Sequence, residues 1–242
     1  MKIGIITDIH NNLPALEAML EHFSEVGCAK VICCGDIIGI GPYPEETVRR
    51  MMAIPDLLAV QGNHDRYCTG GLPEEFPNDE HMEPGEADHH RWEHAQLSAE
   101  SVGFLKSLPH RIDQTIDGVR LTVLHYCMDD SGKYVDFVPE PDAAACRRMF
   151  ADVQVDVVLY GHDHARAINR DGDTLYVNCG SLGCPGRGKN VARGGILTLE
   201  NGRAEVEMIE LEYDAVSVTE EIARLDYPEA GIIRKIFYGA AE

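Results

Sequence analysis

The chain has 242 residues, 44% of them hydrophobic and 26% charged, a composition that excludes a disordered, collagen-like or fibrous protein. Its 21 basic and 41 acidic residues leave a formal net charge of −20, a field that repels polyanions and excludes a surface-wide platform for long nucleic acid. No run reaches the ~18 apolar residues of a membrane helix, and the first residues (one lysine, then a short apolar run that meets Asp8) do not spell a secretory signal, so a cytoplasmic protein is expected.

Residues 2–7 form a nearly continuous apolar run, the pattern of a strand covered on both faces. Residues 14–26 place Leu16, Met19, Leu20 and Phe23 on one helical face, with Gly27 as the stop. Residues 30–34 predict a second buried strand, 45–52 a second helix and 57–60 a third strand. Composition then breaks: residues 73–95 hold eight carboxylates, four histidines and Arg91 as the one base. With its flanks (66–97) this stretch reads as an exposed insertion or lid on a single domain spanning residues 1–242. A helix carrying Cys146, Met149, Phe150 and Val153 leads into a buried strand at 155–160. The βαβ rhythm implies a mainly parallel sheet with helices outside. Residues 174–178, 195–199 and 204–211 then read as consecutive strands, the last two joined by a turn at Glu200-Asn201-Gly202, and predict a second, more antiparallel sheet. Helices at 216–225 and 229–238 close the chain. The eight cysteines include no CxxC pair and read as reduced thiols rather than disulfides or zinc knuckles.

The chemistry lies where polar residues meet strand ends. Asp8 and His10 follow the first strand, Gly35-Asp36 the second and Gly62-Asn63-His64-Asp65 the third. His125 ends the apolar run 121–124, and Gly161-His162-Asp163-His164 ends the strand at 160. Ligands of open α/β sheets bind outside the carboxyl ends of the strands, so five strands deliver Asp, His and Asn to one edge. Imidazole and carboxylate donors without thiolates suit manganese, iron, zinc or nickel. Each motif alone is weak evidence; five in order at strand ends are not.

That ordered set (D-x-H, G-D, G-N-H-D, H, G-H-x-H) resembles the calcineurin-like metallophosphoesterase superfamily over residues 1 to about 199. The resemblance implies a four-layer α/β sandwich, two mixed β-sheets face to face and flanked by helices. It further implies that Asp8, His10, Asp36 and His164 hold one divalent metal, and that Asp36, Asn63, His125 and His162 hold a second, with Asp36 bridging. His64 becomes the acid beside the scissile phosphate. Two divalent ions, manganese favoured, about 3.5–4 Å apart would clamp the attacking and leaving oxygens of an in-line displacement by a bridging hydroxide, with no phosphorylated enzyme. They would also give the −20 chain a local positive focus for a small phosphorylated substrate. Neither a membrane nor long nucleic acid is expected as a partner.

The stretch from Gly35 to Pro44, the run Asn178-Cys179-Gly180-Ser181-Leu182-Gly183 and the segment Glu212-Tyr213-Asp214 resemble a bacterial subgroup of small phosphodiesterases in that superfamily. Protein phosphatases of the superfamily carry Asp-Arg shortly after the second Asp, where Gly39-Ile40 stand here, so the usual aspartate partner of the catalytic histidine is missing. Asn11 and Tyr126 likewise replace glycines. A small phosphodiester or nucleotide-like substrate is expected; a phosphomonoesterase or protein phosphatase, and a non-catalytic metal-binding scaffold, are the alternatives. The run 183–190 nearly spells a P-loop but lacks the Ser/Thr and the following helix. Arg187, Lys189 and Arg193 read equally as phosphate contacts or as a solvated loop. His89, His90 and His94 mimic a helical zinc pair without its catalytic glutamate and read as solvated surface. His22, His81 and His110 have no partners in sequence, and Ser181 is not in a nucleophile elbow.

Overall fold

The first strand, β1 (Lys2–Ile6), shows why this sequence needs layers on both sides. Ile3 and Ile5 project into one apolar cluster while Ile6 joins another, so the alternation of a strand is buried on both faces. A computed structural model describes residues 1–78, 82–186 and 190–239. In chain order β1 is followed by α1 (Leu13–Glu25), β2 (Lys30–Cys33), α2 (Pro44–Met52), β3 (Leu58–Ala59), α3 (Asn63–Gly70), α4 (Pro84–His94) and α5 (Ala99–Ser107). Then come β4 (Arg111–Ile116), β5 (Val119–Leu124), α6 (Ala143–Met149), β6 (Val157–Tyr160), β7 (Arg166–Asp171) and β8 (Thr174–Cys179). The chain closes with β9 (Val191–Glu200), β10 (Arg203–Glu212), α7 (Ala215–Leu225) and α8 (Ala230–Phe237).

Among the described residues the strands form two five-stranded sheets, ordered β10-β9-β1-β2-β3 and β4-β5-β6-β8-β7. In the first, β1, β2 and β3 run parallel, and β9 pairs antiparallel with β1. In the second, β5, β6 and β8 are parallel, with β4 and β7 antiparallel at the edges. Ile3, Ile5, Ile32, Leu121, Leu159 and Leu197 fill the space between the sheets. Leu16, Met19, Phe23, Val48, Met51 and Leu105 cover the outer face of the first sheet from the helices. Phe150 packs from beyond α6 onto Val158, Tyr160 and Tyr176 of the second. The result is the expected four-layer α/β sandwich of two mixed sheets flanked by helices. No helix among the described residues is long and apolar enough to cross a membrane, and all eight cysteines are free thiols.

Two expectations are corrected. The strands near 174, 195 and 204 do not build a sheet together. β8 completes the second sheet, whereas β9 and β10 extend the first, because β1 would otherwise leave a row of unpaired backbone groups at an open edge. The stretch 73–95 is not simply an exposed lid: α4 buries Ala87, His89, His90 and Glu93. Edge strands β4 and β7 escape sequence reading because RIDQTI and RAINRD are half-solvated and carry little apolar contrast.

Gly4 sets the distance between β1 and α1, since a Cβ there would lie 2.4 Å from the buried Phe23 ring. Gly4→Ala is expected to destabilise the fold by about 1–3 kcal/mol through overpacking, read as a lowered urea midpoint with unchanged slope.

Candidate metal centre

The parallel strands end at one edge, and after β1, β2 and β6 the chain leaves in an unusual conformation. Asp8, His10, Asp36, His162 and His164 all have left-handed φ values, between 51° and 79°. Non-glycine residues adopt that region at a cost, and such strain concentrates at functional sites. Gly35, at φ 98°, is required beside them: a Cβ would lie 2.8 Å from both the Gly62 nitrogen and His125 Nδ1. The seven residues singled out in sequence, with His64, are all brought together here. Asp8, His10, Asp36 and His125 are buried; Asn63, His64, His162 and His164 are half-buried and mark the open side.

Hydrogen bonds fix which ring nitrogens face inward. His10 Nδ1 lies 3.1 Å from the Ile38 carbonyl, His125 Nδ1 2.8 Å from that of Cys34, and His164 Nδ1 3.0 Å from that of Cys184. A carbonyl only accepts, so each Nδ1 carries a proton and Nε2 is the nitrogen left to face inward, bare whenever the ring is neutral. The Nε2 atoms of His10 and His164 are 2.9 Å apart, and His164 Nε2 is 3.6 Å from Asp8 Oδ1. On the other side, His125 Nε2 is 3.0 Å from Asn63 Oδ1 and 3.2 Å from Asp36 Oδ2. His162 Nδ1 is also 3.0 Å from Asn63 Oδ1. Asp36 Oδ2 lies 3.9 Å from His10 Nε2 as well, so one oxygen faces both groups, while Oδ1 accepts from the His64 backbone N–H at 2.9 Å. Lone pairs thus converge on lone pairs, an arrangement that repels unless a cation sits between them.

The titration behaviour has the same origin. Burial, with His164 beside it, lowers His10 to about 4. Burial and His125 likewise lower His162 to about 4. Burial opposes the charge on His125 too, but Asp36 overrides it and raises that ring to about 9. Asp36 is itself held well below the carboxylate range despite burial, by His125 and His64. His10 and His162 are therefore neutral donors near pH 7, while Asp36 and His125 face each other as a buried ion pair.

A family model described as "Calcineurin-like phosphoesterase superfamily domain" matches residues 1–202. The chain belongs to that superfamily. It is similar to the protein MJ0912 of Methanocaldococcus jannaschii, 29% identical over 94% of each chain. It is also similar to the phosphodiesterase YfcE of Escherichia coli K12, 25% identical over 81% of this chain and 87% of that one. A metallophosphoesterase from Sphaerobacter thermophilus superposes with a TM-score of 0.76 at 27% identity, covering 96% of both chains. This calcineurin-like phosphoesterase is therefore a hydrolase of phosphoric esters from a metal-dependent family.

Around the edge that gathers the candidate ligands the phosphoesterase carries supports that sequence reasoning left without a role. Asp65, quoted only as part of a motif, accepts from the backbone N–H groups of Ile37, Ile38 and Gly62 at 2.9–3.2 Å and so ties two ligand loops together. Ser181 donates to the Asp8 carbonyl at 2.8 Å, and Asn178 to that of Gly161 at 3.0 Å; both brace loops. Tyr126, where a glycine was the familiar residue, is buried with its ring 5.0 Å from His162. Arg193 is buried and paired with Glu210 at 3.3 Å, so it is no phosphate contact; Arg187, Lys189 and His81 lie outside the described residues.

The larger correction concerns His89, His90 and His94. They are not solvated surface: His89 and His90, with Glu93, form the buried face of α4 against the loops that follow β1 and β2, and His94 is half-buried. Glu93 accepts from Asn11 Nδ2 and from the Gly39 N–H, and its other oxygen is 3.2 Å from His90 Nδ1. His89 Nε2 accepts from the Ile40 N–H at 3.0 Å. The signal was in the sequence as Glu86, His90 and Glu93 at helical i, i+4 and i+3 spacing, but the acidic composition around it masked it.

Burial opposes ionisation of both partners, yet the flanking Glu86 and Glu93 raise His90 to about 9, and His90 holds Glu93 at about 2. Glu93→Gln is expected to cost about 3–5 kcal/mol, as for one partner removed from a buried pair. The Glu93 contribution is present above its unfolded value of 4.5 and lost as pH falls through about 2. The His90 contribution is complete below 6.5 and lost as pH rises through about 9. The wild-type advantage in urea titrations should therefore be greatest between pH 4.5 and 6.5 and shrink on both sides. An advantage that stays flat from acid to alkaline pH would contradict the pair.

Proposed function

We propose that the chain is a dinuclear metal-dependent hydrolase of a small phosphodiester or nucleotide-like substrate. The observation that carries this is the pair of bare Nε2 atoms on His10 and His164, 2.9 Å apart with their Nδ1 protons committed to backbone carbonyls. Two bare nitrogens at that distance repel unless a proton or a metal cation lies between them. Asp8, His10, Asp36 and His164 would hold one ion, and Asp36, Asn63, His125 and His162 the second. The donors are a mixture of imidazole, carboxylate and amide oxygen without thiolate, which suits manganese, iron, zinc or nickel; the oxygen share favours manganese. When bound, such ions supply Lewis acidity to the phosphate and acidify a water that attacks it.

The remaining work falls to the chain. Asp36 fixes the turn that presents His64 by accepting its backbone N–H. His64, at the start of α3 and 5.0 Å from the His10 ring, faces the open side, where it would give its Nε2 proton to the departing alkoxide. The substrate is small and enters locally: a charge of −20 repels a long polyanion, while a cationic centre focuses a single phosphate. Diester rather than monoester preference is supported by the name of the Escherichia coli relative.

The test begins with metal-stripped protein assayed on bis(4-nitrophenyl) phosphate and on 4-nitrophenyl phosphate, with and without added manganese. Manganese-dependent turnover of the diester is expected. Preference for the monoester would redirect the assignment to a phosphatase of small metabolites. No turnover with metal bound would favour a non-catalytic scaffold. His64→Ala is expected to lower kcat on an alkoxide-releasing diester by about 10²–10⁴-fold, the range for a lost general acid.

A further inference from the structure

Four buried histidine ring nitrogens on α3 and α4 have no hydrogen-bond partner among the described residues, Nδ1 of His64 and of His89 and Nε2 of His90 and of His94, and the first of these belongs to the proposed acid. The rings of His64 and His90 are 5.0 Å apart. One nitrogen of each, together with a carboxylate oxygen of Glu86, lies within a set of atoms no more than 4.8 Å from one another. Gly39 lies directly against the His64 Nδ1, since a Cβ there would come within 2.7 Å of that nitrogen, and it offers no side chain to partner it. The space is shared instead with α4.

His90 is fully buried and sits between two carboxylates. Its Nδ1 is 3.2 Å from Glu93 Oε2 and its Nε2 is 3.8 Å from Glu86 Oε1. Its other neighbours are the rings of Tyr67 from α3 and of His89 and His94 from α4, at 5.3–5.9 Å. Glu93 is immobilised by Asn11 and Gly39, so the ring that leans on it is held in place. A carboxylate behind each nitrogen favours the doubly protonated ring, and a doubly protonated ring has an N–H to give on the side of His64.

We propose that His90 is the positioning residue of His64: its Nε2–H donates to Nδ1 of His64, holds the tautomer whose Nε2–H faces the leaving oxygen, and replaces that proton as it departs. The step balances. As the P–O bond breaks, the Nε2 proton of His64 goes to the leaving oxygen. The Nε2 proton of His90 moves to Nδ1 of His64, and His90 is left neutral between its two carboxylates. The relay resets when Nε2 of His64 takes a proton from solvent on the open side and the Nδ1 proton returns to Nε2 of His90, beside Glu86, whose side chain is 42% exposed. The pair Glu93–His90 thus performs from α4 the orienting work for which the loop after Asp36 has no side chain. The elevation of His90 to about 9 is in keeping with this. The inference rests on the reading of His64 as the general acid.

The test compares leaving groups. A 2′,3′-cyclic nucleotide releases a sugar alkoxide that needs a proton, whereas bis(4-nitrophenyl) phosphate releases a phenolate that does not. His64→Ala should cost the cyclic nucleotide far more kcat than the nitrophenyl diester. His90→Phe should repeat that ordering, with a loss at least about ten-fold greater on the cyclic nucleotide, and little change in KM. His90→Gln, which keeps an amide donor but cannot pass on a proton, should fold with wild-type metal content and show the same ordering. A readout free of turnover is the ¹⁵N spectrum of the His64 ring in metal-stripped protein. Nε2 should be protonated and Nδ1 bare in wild type, and that preference should be lost in His90→Phe.

The outcomes separate cleanly. If His64→Ala fails to distinguish the leaving groups, the acid assignment falls and takes the relay with it. If His64→Ala distinguishes them but the His90 variants lower both substrates alike, or leave the His64 tautomer unchanged, the relay alone is overturned. A third metal ion bound by wild type and lost in His90→Phe would assign the Glu86–His90–His64 cluster to a cation and overturn it too.

Discussion

The rest of the structure depends on one electrostatic constraint: several hydrogen-bond acceptors are held face to face at the ends of parallel strands. Backbone carbonyls of Ile38, Cys34 and Cys184 claim the outer nitrogens of three histidines, so that in the neutral rings the inner nitrogens are bare. The carbonyls behind the rings therefore decide which atoms face the centre. The cost is visible in the backbone, where five of the ligand candidates adopt left-handed conformations that only a rigid surround can maintain.

That surround is the two-sheet sandwich. Strands buried on both faces leave little freedom at their carboxyl ends, and loops from β1, β2, β5, β6 and β8 hydrogen-bond directly to one another there. The Asp8 carboxylate accepts from the His162 N–H at 3.1 Å, and the Leu182 N–H donates to the Thr7 carbonyl at 2.9 Å. Packing energy from the inter-sheet core is in this sense converted into precise placement of repelling groups. On the proposed reading, the net negative charge and a cation-loaded centre would act together, since a protein that repels polyanions can still attract one phosphate to one point.

The convergence of the candidate ligands was legible in the sequence, because each sits directly after a continuous apolar run and strand ends are where such residues meet. Asp8, His10, Asp36, Asn63, His125, His162 and His164 needed no tertiary knowledge beyond that. The sheet partition was less legible: β9 reads as a strand but nothing in its composition says that it pairs with β1 rather than with β8. Hardest to see was α4. Its acidic, histidine-rich stretch has the composition of solvated chain, and only the structure shows that Glu93 and His90 turn inward against Gly39 and Asn11, two positions where the sequence departs from the pattern it resembles. Those departures belong together: a glycine opens the space behind His64, an asparagine anchors the glutamate, and the helix fills the space.

The most direct measurement of the central claim is a metal count on stripped and reloaded protein, joined to anomalous diffraction from manganese-soaked crystals. The account predicts two ions per chain. One would lie among Asp8, His10 and His164, the other among Asn63, His125 and His162, with the Asp36 carboxylate reaching both; Asp36→Asn should weaken both sites together. A single ion, or two ions of which Asp36 touches only one, would contradict it.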